Sequence, residues 1–325
     1  MIRLLLAAAL AAGLQVGSAA ADDYPSRPIT MIVPFPAGGP TDTLGRLLAE
    51  RMRAPLGQPV IIENITGAGA TIGAIRGAQS PPDGYTLSLG NWTSHVGSGA
   101  MYRLPFDLNA DLEPVALLTV APMMIVGKTA LPAKDGKELI AWLKANPDKA
   151  TMATIGAGSA AHVCSVYFQD KIGTSVQFVP YRGGAPVMQD LIAGQIDLFC
   201  AEASQTLSYL RAGQIKAFTV LSPKPWPAAP EVQTISQAGV PDLDIAFWHG
   251  LWLPKGTPKD VIAKVNAAVV ESLADPAVRK RLDDLGVVIA PREQQTPEAL
   301  AAYHKAETSK WWAFMKAANI KPEGN

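Results

Sequence analysis

The sequence predicts an α/β protein made of two lobes, and three observations lead there. Strand-length apolar runs alternate with one-sided helical patterns along the chain. The alternation starts afresh after residue 114. A strand-to-helix signature in the first half, VPFPAGGPTD (33–42), is echoed in the second as VPYRGGAPVMQD (179–190). With 325 residues, the chain is also longer than one hydrophobic core ordinarily serves.

The elements follow in order. ITMIVPF (29–35) is an apolar strand, and residues 41–53 carry leucines at 44, 47 and 48, one face of a helix. PVIIEN (59–64) is the next strand. GAGATIGAIRGAQ (67–79) opens with glycines and stops before Pro81, a glycine-rich turn feeding a short helix. YTLSLGN (85–91) is a third strand. This β-α-β-α-β order implies a largely parallel sheet, whose ligands collect beyond the carboxyl ends of the strands.

The pattern restarts at PVALLTVAPMMIVG (114–127), two apolar runs with Pro122 between them. KELIAWLKANP (137–147) is a helix stopped by Asn146-Pro147. ATMATIG (150–156) is a strand, and GSAAHVCSVYFQDKIG (158–173) begins as a loop and continues as a helix. VQFVPYRGG (176–184) is strand and loop, APVMQDLIAG (185–194) a helix, QIDLFCAEA (195–203) a strand. After IKAFTVLS (215–222), the proline-rich PKPWPAAPEV (223–232) is expected to be an exposed loop. WHGLWLP (248–254) is another strand. Thr257-Pro258-Lys259-Asp260 has the spacing of a capping box for a helix with Val261, Ile262, Val265, Val269 and Leu273 inward. Asp275-Pro276 starts a further helix that ends by Gly286. Thr296-Pro297-Glu298 begins the last, with Trp311, Trp312 and Met315 assigned to the core.

Residues 1–21 read as a secretory signal peptide: Arg3, the apolar LLLAAALAAGLQVG, then Ser18-Ala19-Ala20-Ala21 before Asp22-Asp23. An exported protein is expected. Formal net charge is +0, from 28 basic and 28 acidic residues, which gives no basic footprint for nucleic acid. The two cysteines, Cys164 and Cys200, are either a disulfide or two buried thiols.

VPFPAGGPTD suggests chemistry as well as structure. The first amides of a helix have no intrahelical partner and carry a partial positive charge. Glycines before them allow close approach, and proline at the first position sacrifices a donor that is not needed. Amides from Ala37 to Asp42 can therefore face a carboxylate without any lysine or arginine. The alternative is a tight turn with no ligand. GAGSAAH (156–162) is a second such corner, although Ser159 could be only an N-cap and His162 a structural histidine. GNWTSH (90–95) ends a strand with an amide, hydroxyls and a histidine, which loop structure alone could also explain.

Enzyme readings fare worse. GAGATIG (67–73) has Ile72 where a dinucleotide fingerprint needs glycine, and GAGSA (156–160) is not a nucleophile elbow. The histidines at 95, 162, 249 and 304 show no metal-ligand spacing. No enzyme, metal or cofactor is expected.

Taken together, the chain resembles the Bug-type substrate-binding proteins of tripartite tricarboxylate transporters. The likeness rests on YPSRPITMIVPFPAGGPTD, LGQPVIIEN, GAGATIGA, PPDGYTLSLGN, LPFDLNADLEPV, GAGSAAH, VPYRGGAPVMQDLIAGQIDL, LRAGQIKAFTV, QAGVP and WHGLWLPKGTP. It implies a type II periplasmic binding protein: two lobes, two crossovers and a cleft that closes on ligand. The expected division is lobe 1 from 22–124 plus 248–325 and lobe 2 from 125–247. Family ligands are mostly carboxylates. The resemblance assigns ligand contacts to Phe35, Ala37, Gly38, Gly39, Thr41 and Asp42 of the first loop. It adds Asn91, Ser94 and His95 of the next, then Ala157, Gly158, Ser159 and His162, and Tyr181, Arg182 and Gly183. Ala201 and Glu202, in the segment from Cys200 to Ser204, would also face the cleft.

Two departures stand out. Ala201 occupies a position where many relatives have Asp, with Glu202 following, and bulky Trp92 could narrow the pocket or stack on an aromatic acid. The resemblance also implies that Cys164 and Cys200 are bonded. The expected protein is a periplasmic monomer that captures a small carboxylate and hands it to a membrane permease. A sensor or adaptor presenting the ligand to a signalling partner is the alternative.

Overall fold

Strand β1 (Ile29–Val33) pairs in parallel with β2 (Val60–Asn64) on one side and β3 (Thr86–Asn91) on the other. Helix α1 (Pro40–Leu56) and the short α2 (Thr71–Ala78) make the crossovers. The computed structural model describes residues 24–321. The signal-peptide reading of residues 1–21 lies outside them.

After a π-turn at Thr93–Gly97 and one turn of helix, α3 (Ser98–Met101), the chain enters β4 (Leu112–Gly127). This 16-residue strand replaces the two runs expected around Pro122. Proline lacks the N–H that a ladder uses, but at Pro122 the strand changes partners. Up to Pro122 it lies antiparallel to β9 (Ala246–Pro254); from Met123 it lies between β7 (Leu198–Glu202) and β8 (Lys216–Val220). A missing donor costs least at such a seam.

The second lobe repeats the plan. Helix α4 (Gly136–Ala145) precedes β5 (Thr151–Thr154), followed by α5 (Ala160–Ile172), β6 (Gln177–Pro180), α6 (Gly184–Ile192), β7 and α7 (Ala203–Arg211). Strands β5, β6 and β7 are mutually parallel. The whole forms one sheet in the order β2-β1-β3-β9-β4-β7-β5-β6, with β8 also on β4. The chain returns through β9 and ends in α8 (Lys259–Ala274), α9 (Pro276–Asp284) and α10 (Pro297–Ala317).

Three apolar clusters hold this together. Leu44, Leu48 and Met52 of α1 meet Val265, Val269 and Leu273 of α8 on one face of the first lobe. Val187, Leu191 and Leu207 pack with Trp226 on the corresponding face of the second. On the opposite face one core runs through both lobes, from Trp92 and Trp252 to Cys164 and Phe168. Helix α10 closes it: Trp311 lies edge-on to Trp92 (5.7 Å) and to Tyr167 of α5 (5.2 Å). Glu307 accepts the indole N–H groups of Trp248 and Trp311, each at 3.1 Å.

Several local expectations need correction. The proline-rich segment is a loop, but Trp226 is buried in it and donates to Gly286 O at 3.0 Å, so the prolines frame a side chain rather than fill solvent. Thr257 makes no capping box: its hydroxyl turns back to Pro254 O (2.7 Å), and Pro258 stands at the cap position of α8. Asp275 and Thr296 do cap their helices. Trp311 and Met315 are core, whereas Trp312 is 38% exposed and lies over Gly99 with its indole N–H on Val96 O.

Candidate functional site

Strand direction fixes where a ligand can sit. Both β3 and β4 are antiparallel to β9, so they run the same way, and β4 continues past the end of β3 into the second lobe. There β7 runs against it, with Glu202 opposite Met123. The carboxyl ends of β1, β2 and β3 thus point at the second lobe, and those of β5, β6 and β7 point back at the first. The loops at residues 34–39, 65–70, 92–97, 155–159 and 181–183 leave strand ends that face that junction, and residues 93–97 touch 158–160 across it. Every residue expected at the site lies on one of these loops, at a strand end or in the first helical turn beyond.

The two glycine corners are braced in the same manner. In the first lobe Gly38 N–H donates to Asp42 Oδ2 at 2.8 Å; in the second Gly158 N–H donates to His162 Nδ1 at 3.1 Å. Each corner is closed by a side chain four residues on, inside the first turn of its helix. Two of the amides that the sequence offered between Ala37 and Asp42 are taken internally: Gly38 N–H is committed to Asp42 and Gly39 N–H to Pro36 O (3.3 Å). Among the amides that open α1 and α5, Ala160 N–H reaches Thr93 Oγ1 at 3.4 Å, while those of Thr41, Asp42 and Ala161 have no intrahelical carbonyl to reach.

Asp42 is a brace rather than a surface acid. It is buried and also accepts from Arg46 Nε (2.8 Å) and Asn64 Nδ2 (2.9 Å). Burial alone would raise its pKa, but the bonds from Arg46, Gly38 and Asn64 outweigh that and hold it below the usual carboxylate range. Asn64 Nδ2 additionally reaches Phe35 O at 3.0 Å, tying the loop to the end of β2.

Beneath the loop runs a buried polar chain. Thr41 Oγ1 lies 3.0 Å from His249 Nε2 and accepts from Asn91 Nδ2 at 3.1 Å; His249 Nδ1 is 2.9 Å from Thr119 Oγ1. Burial lowers the His249 pKa to about 3, so its ring is neutral and bridges two hydroxyls. Thr119 and His249 were missed as site residues, because they sit mid-strand on β4 and β9 and only sheet register aligns them.

The third loop is deeper than expected. Ser94 Oγ accepts from Asn91 N–H (2.9 Å), and His95 is fully buried, stacked on Trp252 at 3.9 Å, with Nδ1 on Ser94 Oγ. His95 is therefore buried beneath the third loop, and burial drives its pKa well down. Trp92 is likewise corrected: it is wholly buried in the shared core, so it neither narrows the pocket nor stacks on a ligand.

In the second lobe Ser159 caps α5, accepting from His162 N–H at 3.2 Å. Tyr181 donates to Asp190 Oδ2 (2.8 Å), which leaves Arg182 exposed and Gly183 at the start of α6. Ala201 is buried against the helical face, and Glu202 is buried at the strand end with Ser204 Oγ on Oε1 at 2.7 Å. Cys164 and Cys200 form a disulfide joining α5 to β7. The lobes touch where a methyl group added to Gly97 would lie 2.3 Å from Gly158 O.

Gly38, Gly156 and Gly183 have positive φ (80°, 103° and 156°), and nothing lies within 4 Å of where a Cβ would stand. Backbone is exposed there to whatever occupies the junction.

This architecture is that of a two-lobed periplasmic binding protein. Residues 44–320 match the model of the tripartite tricarboxylate transporter family receptor, and the chain belongs to that family. Three solved structures are similar along nearly their whole length. The periplasmic binding protein BugD is 37% identical with a TM-score of 0.82, over 92% of this chain and 100% of that one. MatC of Rhodopseudomonas palustris, with bound malate, is 36% identical with a TM-score of 0.81, over 89% and 99%. Rpa4515 of R. palustris, with adipate, is 30% identical with a TM-score of 0.83, over 92% and 100%.

Proposed function

We propose that this protein is a periplasmic receptor that closes on a small organic carboxylate and delivers it to a tripartite-type membrane permease. The observation that carries the reading is that each lobe has a glycine corner braced by a side chain four residues on, opening a helix beyond strand ends that face the other lobe. Asp42 and His162 hold the corners before any ligand arrives, so little ordering remains to be done on binding. Helix-opening amides and open glycine backbone supply donors suited to an anion. Malate and adipate in the two related structures are dicarboxylates, which supports the ligand class. A Kd near 1 μM requires about −8 kcal/mol. Charge-assisted hydrogen bonds contribute roughly 1.5–3 kcal/mol each, so a handful reaches it.

The test is calorimetric titration with malate, adipate and an aromatic monocarboxylate. At least one should bind with a micromolar or tighter Kd and no turnover. Gly38→Val places a branched side chain on a left-handed residue facing the junction, and should weaken that binding at least 100-fold while the protein still unfolds cooperatively. Undiminished affinity in this variant would argue against the first corner as a jaw.

A further inference from the structure

One acid at the junction has no cation to answer it. Glu202 ends β7 opposite Met123, and only 4% of it is exposed. Its carboxyl meets two neutral donors, Ser204 Oγ at 2.7 Å and, at the long limit, Gln205 Nε2 at 3.5 Å. None of the ion pairs among the described residues includes it. A carboxylate buried this way is costly unless paired or protonated.

The disulfide locates the group relative to the second corner. Cys200 and Cys164 share a level on β7 and α5. Two residues towards the junction on the strand, about 6.6 Å and on the same face, is Glu202. Four residues towards the junction on the helix, about 6 Å, is Ala160, the first residue after the GAGS corner. The two run in step, so Glu202 ends its strand at the level where α5 opens.

We propose that Glu202 is a specificity-determining acid of this site: it keeps its proton and donates it in a hydrogen bond to an acceptor oxygen of the captured anion. The protonated acid brings its own proton to the complex, so binding draws a proton from solvent only to the extent that Glu202 is ionised beforehand, and no covalent bond changes. The proposal rests on the carboxylate-capture reading and adds a preference for anions that present a hydroxyl, carbonyl or second carboxylate oxygen here over those that present an ammonium. Burial supports it, raising the carboxyl pKa to about 7, with Ser204 and Gln205 drawing it only partly back. Of the titratable groups on neighbouring elements, His162 in the first turn of α5 accepts Gly158 N–H at Nδ1 (3.1 Å), and Tyr181 after β6 donates to Asp190. From β4 Glu202 faces Met123; from α7, Ser204 and Gln205; and Gln205 in turn abuts Gly184 of the β6–α6 turn, whose Arg182 is exposed. Across the junction Asp42 is paired with Arg46, and His95 and His249 are buried and neutral.

Calorimetric titrations of malate and of L-aspartate, its ammonium counterpart, at pH 6 and pH 8 test this on the wild-type protein and on Glu202→Gln. If capture requires the protonated acid, malate affinity falls about tenfold from pH 6 to pH 8. Glu202→Gln, which carries a permanent donor, should flatten that ratio to less than about twofold. Equal pH profiles in both proteins would overturn the role of Glu202 and leave carboxylate capture standing. Aspartate affinity that climbs towards pH 8 would also overturn it, by showing an ionised Glu202 holding an ammonium. No binding of either probe to either protein would overturn this inference together with the ligand class on which it depends.

Discussion

A single carboxylate illustrates how this protein builds a receptive surface from its own side chains. Asp42 fills part of the anion site that its own helix creates, and in doing so fixes Gly38 in a left-handed conformation that only glycine adopts cheaply. Its depressed pKa makes it a stabilising group above the unfolded carboxyl pKa of about 3.8. That contribution is lost as pH falls through the lower folded value. Asp42→Asn should therefore lower stability near neutral pH, by about 1–3 kcal/mol for a broken charged hydrogen-bond set, and narrow the gap to wild type in strong acid. Chemical denaturation at pH 7 and at pH 3 reads both effects. Glu202 has the opposite sign: its pKa is raised, so its contribution is intact below about 4.5 and lost as pH rises through about 7. The stability advantage of Glu202→Gln over wild type should accordingly grow between pH 5 and pH 8.

Among the elements, α5 and α10 have the clearest structural roles. The disulfide joins the helix behind the second glycine corner to the strand that ends in Glu202, across a sequence separation of 36. Cys200→Ser should cost about 2–4 kcal/mol, and alkylation of the native protein should label neither cysteine until it is reduced and unfolded. Helix α10 inserts Trp311 between Trp92 and Tyr167, so Trp311→Ala should destabilise by about 3–5 kcal/mol in chemical denaturation. At this scale most of the fold was legible in the sequence, because alternating strand and helix periods depend on local pattern. What escaped depends on partners distant in sequence. Pro122 read as a break because the partner exchange beneath it involves strands 80 to 120 residues away. Trp226 read as exposed because its acceptor is Gly286 O. The corners themselves were legible as glycine-bordered helix starts. Their braces were not, since the bonds to Asp42 and His162 depend on loop geometry. The floor of Asn91, Thr119, His249 and Thr41 exists only once β3, β4 and β9 are in register and α1 lies against them.

For the whole molecule, the lobes are joined by a core that is continuous on the face closed by α10, while the helices on the other face form separate clusters in each lobe. Both strands that cross between the lobes change ladder partners at the same level, at Pro122–Met123 and Ile245–Ala246. Gly97, packed against Gly158 O, sets how closely the lobes can meet. Gly97→Val should hold them apart and weaken carboxylate binding by tenfold or more in the same calorimetric assay. Where the anion is held is the central question for this molecule. A crystal structure of the protein saturated with the tightest-binding carboxylate is the most direct measurement. It should place one carboxylate within hydrogen-bond distance of the amides opening α1 or α5, with Gly38 or Gly156 against the ligand. A carboxylate bound elsewhere, gripped by lysine or arginine side chains away from both corners, would contradict it.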